Sequence, residues 1–154
     1  MITQATWPDA IYVARNMRED DRAEVMATRW SDDPYDFAAD CMRLPGVRLV
    51  ARSGDGVPVA IGGVANWQPG VGQAWLVGTA DVGLIGSEIA KSCRKSIEAL
   101  FDTGTIHRIQ AFSAATHTRT HRWLKAIGLH EESRLPMYGK NGEEFIIFAV
   151  TKGV

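Results

Sequence analysis

The sequence predicts one α/β domain in which a mixed, mostly antiparallel sheet is flanked by about four helices. Three observations carry this reading. Residues 47–79 hold three strand-like runs separated by Ser53-Gly54-Asp55-Gly56 and Gln68-Pro69-Gly70, and connections this short suit antiparallel strands. A strand–helix–strand unit spans 73–113, which favours parallel pairing through a right-handed crossover. Near the end, Lys140-Asn141-Gly142-Glu143 contains Asn-Gly, a strong short hairpin signal.

Taken in order, residues 10–17 (AIYVARNM) alternate and predict a first strand. A helix over 18–30 follows, its acids clustered where they favour the positive end of the dipole. Ala23, Met26, Ala27 and Trp30 are its expected apolar face. Asp33-Pro34 opens a second helix, with Phe37, Ala38, Cys41 and Met42 as its inner stripe, and Leu44-Pro45-Gly46 stops it. Strands are expected over 47–52, 57–67 and 73–79. The glycine-spaced stretch ADVGLIG comes next, and Ser87 is expected to cap a helix of about four turns. Ile89, Cys93, Ile97, Leu100 and Phe101 line its inner face, and Gly104 ends it. A strand over 106–113, a helix over 117–127 stopped by Gly128, and two strands flanking 140–143 complete the chain. The last of them is FIIFAVT.

All 154 residues fall within this one domain. The 17 basic and 18 acidic side chains give a net charge of −1, so no global field directs the protein to nucleic acid or to an anionic membrane. Cys41 and Cys93 read as small buried thiols and suit a reducing, cytoplasmic setting. The start, MITQATWPDA, lacks the basic and apolar regions of a signal peptide, and no apolar run is long enough to span a membrane.

The element order resembles the GNAT superfamily of acyl-CoA-dependent N-acetyltransferases, and local sequence adds to it. Arg18-Glu19-Asp20-Asp21 is similar to the family's opening before the first helix. His121-Arg122-Trp123-Leu124-Lys125-Ala126-Ile127-Gly128-Leu129 resembles its penultimate helix, and 140–143 its terminal hairpin. A narrower set of blocks is similar to GNAT-like internal virion proteins of short-tailed phages: PVAIGG at 58–63, QAWLVGT at 73–79, HRWLKAIGL at 121–129 and TKG at 151–153. The resemblance implies acetyl transfer from acetyl-CoA to a primary amine on a small molecule or protein, frequent homodimers, and a phage or prophage origin. Its alternative is an inactive virion protein that reuses the fold and associates with other virion proteins. Binding of acyl-CoA without turnover is a third reading.

Such chemistry must seat a diphosphate, polarise a thioester carbonyl and move protons. The resemblance puts the diphosphate at Gly83, Gly86 and Ser87, where main-chain amides meet a helix dipole. The loop departs from the active pattern: with Gly83 as first glycine, Ala80 stands for the usual Gln or Arg and Ile85 for the second glycine. A glycine-spaced turn before a capped helix is also ordinary architecture. Polarisation falls to the main chain at Leu76, Val77 and Gly78, whose side chains read equally well as core. Leu124 stands where many members carry the tyrosine that protonates the thiolate, and it has no proton to give. His117 matches the asparagine often found before that helix, and histidine titrates near neutrality. Asp81, just beyond the 73–79 strand, and Tyr138, near the final hairpin, complete the candidate catalytic set. His117 and His121 are four apart, but no third ligand of fitting spacing accompanies them, so no metal is expected.

Overall fold

The computed structural model describes residues 1–153. A short strand β1 (Ile2–Gln4) leads to α1 (Trp7–Arg15), α2 (Glu19–Met26) and α3 (Pro34–Arg43). A meander follows: β2 (Gly46–Arg52), β3 (Pro58–Gln68) and β4 (Gly70–Gly78). A 3-10 turn at Ala80–Ile85 enters α4 (Gly86–Asp102), which crosses to β5 (Ile106–Ala114). Then come α5 (Thr118–Ala126), β6 (His130–Leu135) and β7 (Phe145–Thr151).

The strands form one seven-stranded sheet in the order β1-β2-β3-β4-β5-β7-β6. Every neighbouring pair is antiparallel except β4 with β5, the pair joined by the α4 crossover. On one face Ala10, Val13 and Ala14 of α1 and Phe37, Ala38 and Cys41 of α3 pack on Val50, Ile61 and Val77. On the other, Ala90, Leu124 and Ile127 pack on Ala111, Ile146 and Phe148. The predicted fold class is therefore the observed one, with five α-helices among the described residues in place of about four.

The additional helix is α1, where residues 10–17 were expected to form a strand. Thr6 accepts the Asp9 N–H while Asp9 accepts the Thr6 N–H, a reciprocal cap, and Pro8 occupies the first turn. Ala10, Val13, Ala14 and Met17 are all buried, and that is helical spacing. The alternation in AIYVARNM was a coincidence of small residues. The next helix is shorter than expected. It stops at Met26, and Ala23 and Trp30, assigned to its apolar face, are exposed. Lys140 N–H captures the Ala27 carbonyl at 2.7 Å, drawing the chain away from the helical path.

The final hairpin differs too. β6 starts at His130, directly after Gly128 and Leu129, so the connection 136–144 is a long loop. Asn141-Gly142 forms its tip, closed by Tyr138 and Gly139 N–H groups on the Glu143 carbonyl. Ser87 does not cap α4. Gly86 is the first helical residue, Ile85 precedes it, and no side chain caps the helix.

Candidate active site

β4 and β5 part company halfway along. Their pairing runs from Gly70–Ile106 to Gln73–Gln110 and ends there. Beyond it, which groups face the gap follows from alternation. Thr79 N–H donates to Val59 on β3, and β3–β4 register then turns Val77 and Trp75 toward β3. Leu76 and Gly78 turn the other way, into the gap. On β5, Ala115 N–H donates to Glu144 beside β7, which leaves Ala114 and Phe112 facing the gap from its far side. The two strands are thus splayed over this half of their length.

Helix α2 ties both open ends. Gly78 N–H donates to Asp21 Oδ2 at 2.6 Å, and Ala114 N–H donates to Glu24 Oε1 at 2.6 Å. Asp21 and Glu24 are three apart and so share one helix face. Arg18 holds Asp21 with two hydrogen bonds, of 3.2 and 2.8 Å, and its own N–H donates to the Gly78 carbonyl. Between the carboxylates lies His117, only 5% exposed. Its Nδ1 is 2.7 Å from Glu24 Oε2, its Nε2 is 2.8 Å from Thr120 Oγ1, and Asp21 Oδ1 is 3.5 Å away. Burial pulls His117 down, but the Glu24 hydrogen bond and the charges of Glu24 and Asp21 outweigh burial and Arg18 together. The imidazole therefore sits above its ordinary value of 6.5. When protonated it donates from both ring nitrogens, and Thr120 is left to point its own hydrogen elsewhere.

Directly after Gly78, Thr79 accepts the Asp81 N–H and so caps the 3-10 turn. A side chain at Gly83 or at Gly86 would meet nothing within 4 Å, so both glycines border open space. Ile85 does not fill that space; it packs into the cluster of Ala51, Val59, Ala60 and Ile89. No side chain caps the first amides of α4, at Gly86, Ser87 and Glu88, which stand at the positive end of a helix dipole. These features fit a diphosphate. Glu88 is an opposing charge in the first turn of α4, and it ion-pairs with the N-terminal ammonium 3.4 Å away.

One cavity of about 500 Å³ joins these parts. Arg18, Glu24 and Thr120 line it, as do Leu76, Gly83 and Gly86. Of the predicted catalytic residues, His117 lies directly behind this wall. Tyr138 is half-exposed beyond Phe112, its ring stacked on that cavity residue at 5.7 Å. Asp81 is exposed on the 3-10 turn and is not part of the wall. Val77 and Gly78 are buried. The Val77 main chain faces β3, and the Gly78 N–H is held by Asp21, so Leu76 alone of the three keeps an amide turned to the gap and unclaimed by Asp21. Leu124 lines the cavity, with Thr120 one turn earlier on the same helix face. His121 turns away from His117, to the Ala114 carbonyl and the Phe148 ring. No group of three metal-ligating side chains occurs among the described residues, and no helix among them is long and apolar enough to cross a membrane. Burial pushes the Cys41 thiol up to about 12 and that of Cys93 to about 11, so neither is a ready nucleophile.

Sequence reasoning missed Asp21, Glu24 and Thr120 as site residues. Arg18 and an aspartate did stand out as a family-like opening. Glu24 carried no such signal, because its partners are far away in sequence, at Ala114 and His117.

No protein-family model matches the sequence, and no curated protein sequence matches it. Solved structures do. The ribosomal-protein-S5-alanine acetyltransferase from Vibrio fischeri superposes with a TM-score of 0.71 at 16% identity, covering 99% of this chain and 92% of that one. A GNAT-family acetyltransferase from Bacillus anthracis gives 0.73 at 13% identity, covering 97% and 93%. The ribosomal-protein-S18-alanine N-acetyltransferase from Escherichia coli gives 0.68 at 15%, covering 100% and 94%. These structures lend no support to the narrower likeness to virion proteins. By its strand order, its splayed central strands and these superpositions, the chain has the fold of the GNAT-family acetyltransferases.

Proposed function

We propose that the protein is an acyl-CoA-dependent N-acetyltransferase acting on a primary amine of a small molecule or protein. The observation that carries this reading is the open splay, with the Leu76 amide turned into it and an uncapped helix start bordered by Gly83 and Gly86 at its end. When bound, the thioester supplies the activated acetyl group, and the residues supply everything else. Amides of Gly86 and Ser87 hold the diphosphate. The Leu76 N–H donates to the carbonyl oxygen as negative charge develops there. Glu24, facing the cavity with its remaining lone pairs, draws the acceptor ammonium, whose proton leaves through water. His117 keeps Glu24 oriented. Thr120 stands where Leu124 cannot act: it passes its hydroxyl proton to the departing sulfur and receives one from His117 Nε2. Asp81 and Tyr138 flank this arrangement and are secondary candidates for proton transfer.

Ala80 and Leu124, both departures from the active pattern, favour a second reading. In it the fold is kept without turnover, as in a phage or prophage virion protein. That origin rests on the four sequence blocks alone. Titration calorimetry with acetyl-CoA, followed by thiol release across a panel of amines, separates the readings. Binding with amine-dependent thiol release supports the enzyme. Binding without release supports a sensor, and no binding leaves only the scaffold.

A further inference from the structure

The cavity extends beyond the splay in one direction. Beyond Leu76 it extends beneath α4 as a slot between that helix and the sheet. Cys93, Ile97 and Leu100 form its roof, and Leu49, Val64 and Ala74 its floor. A helix that covers a sheet normally buries both surfaces. Here only Ile89 and Ala90 of α4 are buried, both at the end near the diphosphate seat. Leu49, Val64, Ala74 and Leu76 are half-buried, and Val47 is exposed. The cause is written in side-chain size. Small side chains line the slot on both sides, Ala74 on the sheet and Cys93 and Ser96 on the helix, too little bulk to close the space. Apolar surfaces held apart in this way favour an apolar occupant.

We propose that this slot takes an unbranched alkyl chain of about eight carbons, borne on the acyl donor. The proposal rests on the transferase reading, and it names the donor class more narrowly than acetyl. Continuity argues for it: one cavity holds the unclaimed Leu76 amide and the slot, so a chain attached at the polarised carbonyl can turn beneath α4 without crossing solvent. Length agrees as well, because Cys93 to Leu100 spans roughly 10 Å of helix at about 1.5 Å per residue. The transfer is an ordinary acyl exchange. The amine nitrogen forms the amide bond, the carbon–sulfur bond breaks, the thiol leaves with a proton, and no redox partner is involved.

The test measures binding of CoA, acetyl-CoA, octanoyl-CoA and free octanoate by calorimetry. Burial is worth about fourfold in affinity per methylene, so octanoyl-CoA should bind at least about thirtyfold more tightly than acetyl-CoA. Ser96→Phe fills the slot from the helix side and should erase that advantage while acetyl-CoA binds as before; Ser96→Ala should keep it. Ile97→Ala enlarges the slot and should shift the preferred chain upward, an independent readout if the phenylalanine variant folds poorly. Equal affinity for acetyl-CoA and octanoyl-CoA overturns the slot and spares the transferase reading. Octanoate binding with no thioester binding overturns the transferase reading and the donor-borne chain together, leaving an alkyl site. Binding of none of the four overturns both.

Discussion

The main-chain N–H of Gly78, at the end of β4, donates to the buried carboxylate of Asp21 at 2.6 Å. One turn along the same helix, Glu24 takes the Ala114 N–H at the end of β5. Two carboxylates of α2 thereby hold the ends of the two strands whose separation makes the site. Removing Asp21 leaves a buried amide and the Arg18 guanidinium without their partner. Asp21→Ala should cost about 3 kcal/mol, read from denaturant unfolding. A loss below about 1 kcal/mol would show that the strand end finds another acceptor.

His117 gives a stability that depends on pH, and the sign follows from its partners. Its folded value lies above the ordinary 6.5, so the folded state binds the proton more tightly than the unfolded chain. Its stabilising contribution is fully present below about pH 6.5 and is lost as pH rises through the folded value. The stability gap between wild type and His117→Gln should therefore narrow from pH 6 upward. A gap that widened with pH would mean that the buried imidazole is neutral.

Thr120 tests the proton path. Thr120→Val keeps the shape and removes the hydroxyl. It should lower kcat by about 100-fold with little change in KM for the donor, because the lost group acts on the departing sulfur and not on binding. Thr120→Ser should restore most of the rate. If valine supports full turnover, solvent protonates the thiolate.

Gly86 separates fold from binding. It has helical φ and ψ and open space around it, so Gly86→Asp should fold normally and gain slightly from an acid in the first turn. The same charge faces the proposed diphosphate seat and should weaken acyl-CoA binding at least about tenfold. Thermal stability and affinity should thus move in opposite directions.

The legible parts of this fold were those fixed by local chemistry. Tight turns at 53–56 and 68–70 marked the meander, and the stripe of Phe37, Ala38 and Cys41 marked α3. Residues 10–17 misled because Ile11, Val13 and Met17 fall at strand-like alternate positions while Ala10, Val13, Ala14 and Met17 share one helix face; the cap from Thr6 and Asp9 decides between them. Trp30 looked like core because nothing local announces that Lys140 will end the helix before it. At the site, the glycines and His117 could be picked out as types of residue. Asp21 looked like a dipole-favouring acid of a first turn and Glu24 carried no signal, since their real partners, Gly78, Ala114 and His117, are brought to them only by the sheet.

Calorimetric titration of the wild-type protein with acetyl-CoA, run beside Gly86→Asp, tests the central claim most directly. The account predicts saturable heat for the wild type and at least about tenfold weaker binding in the variant, whose thermal stability is slightly higher. No heat from the wild type at millimolar acetyl-CoA, or identical affinity in both proteins, would contradict it.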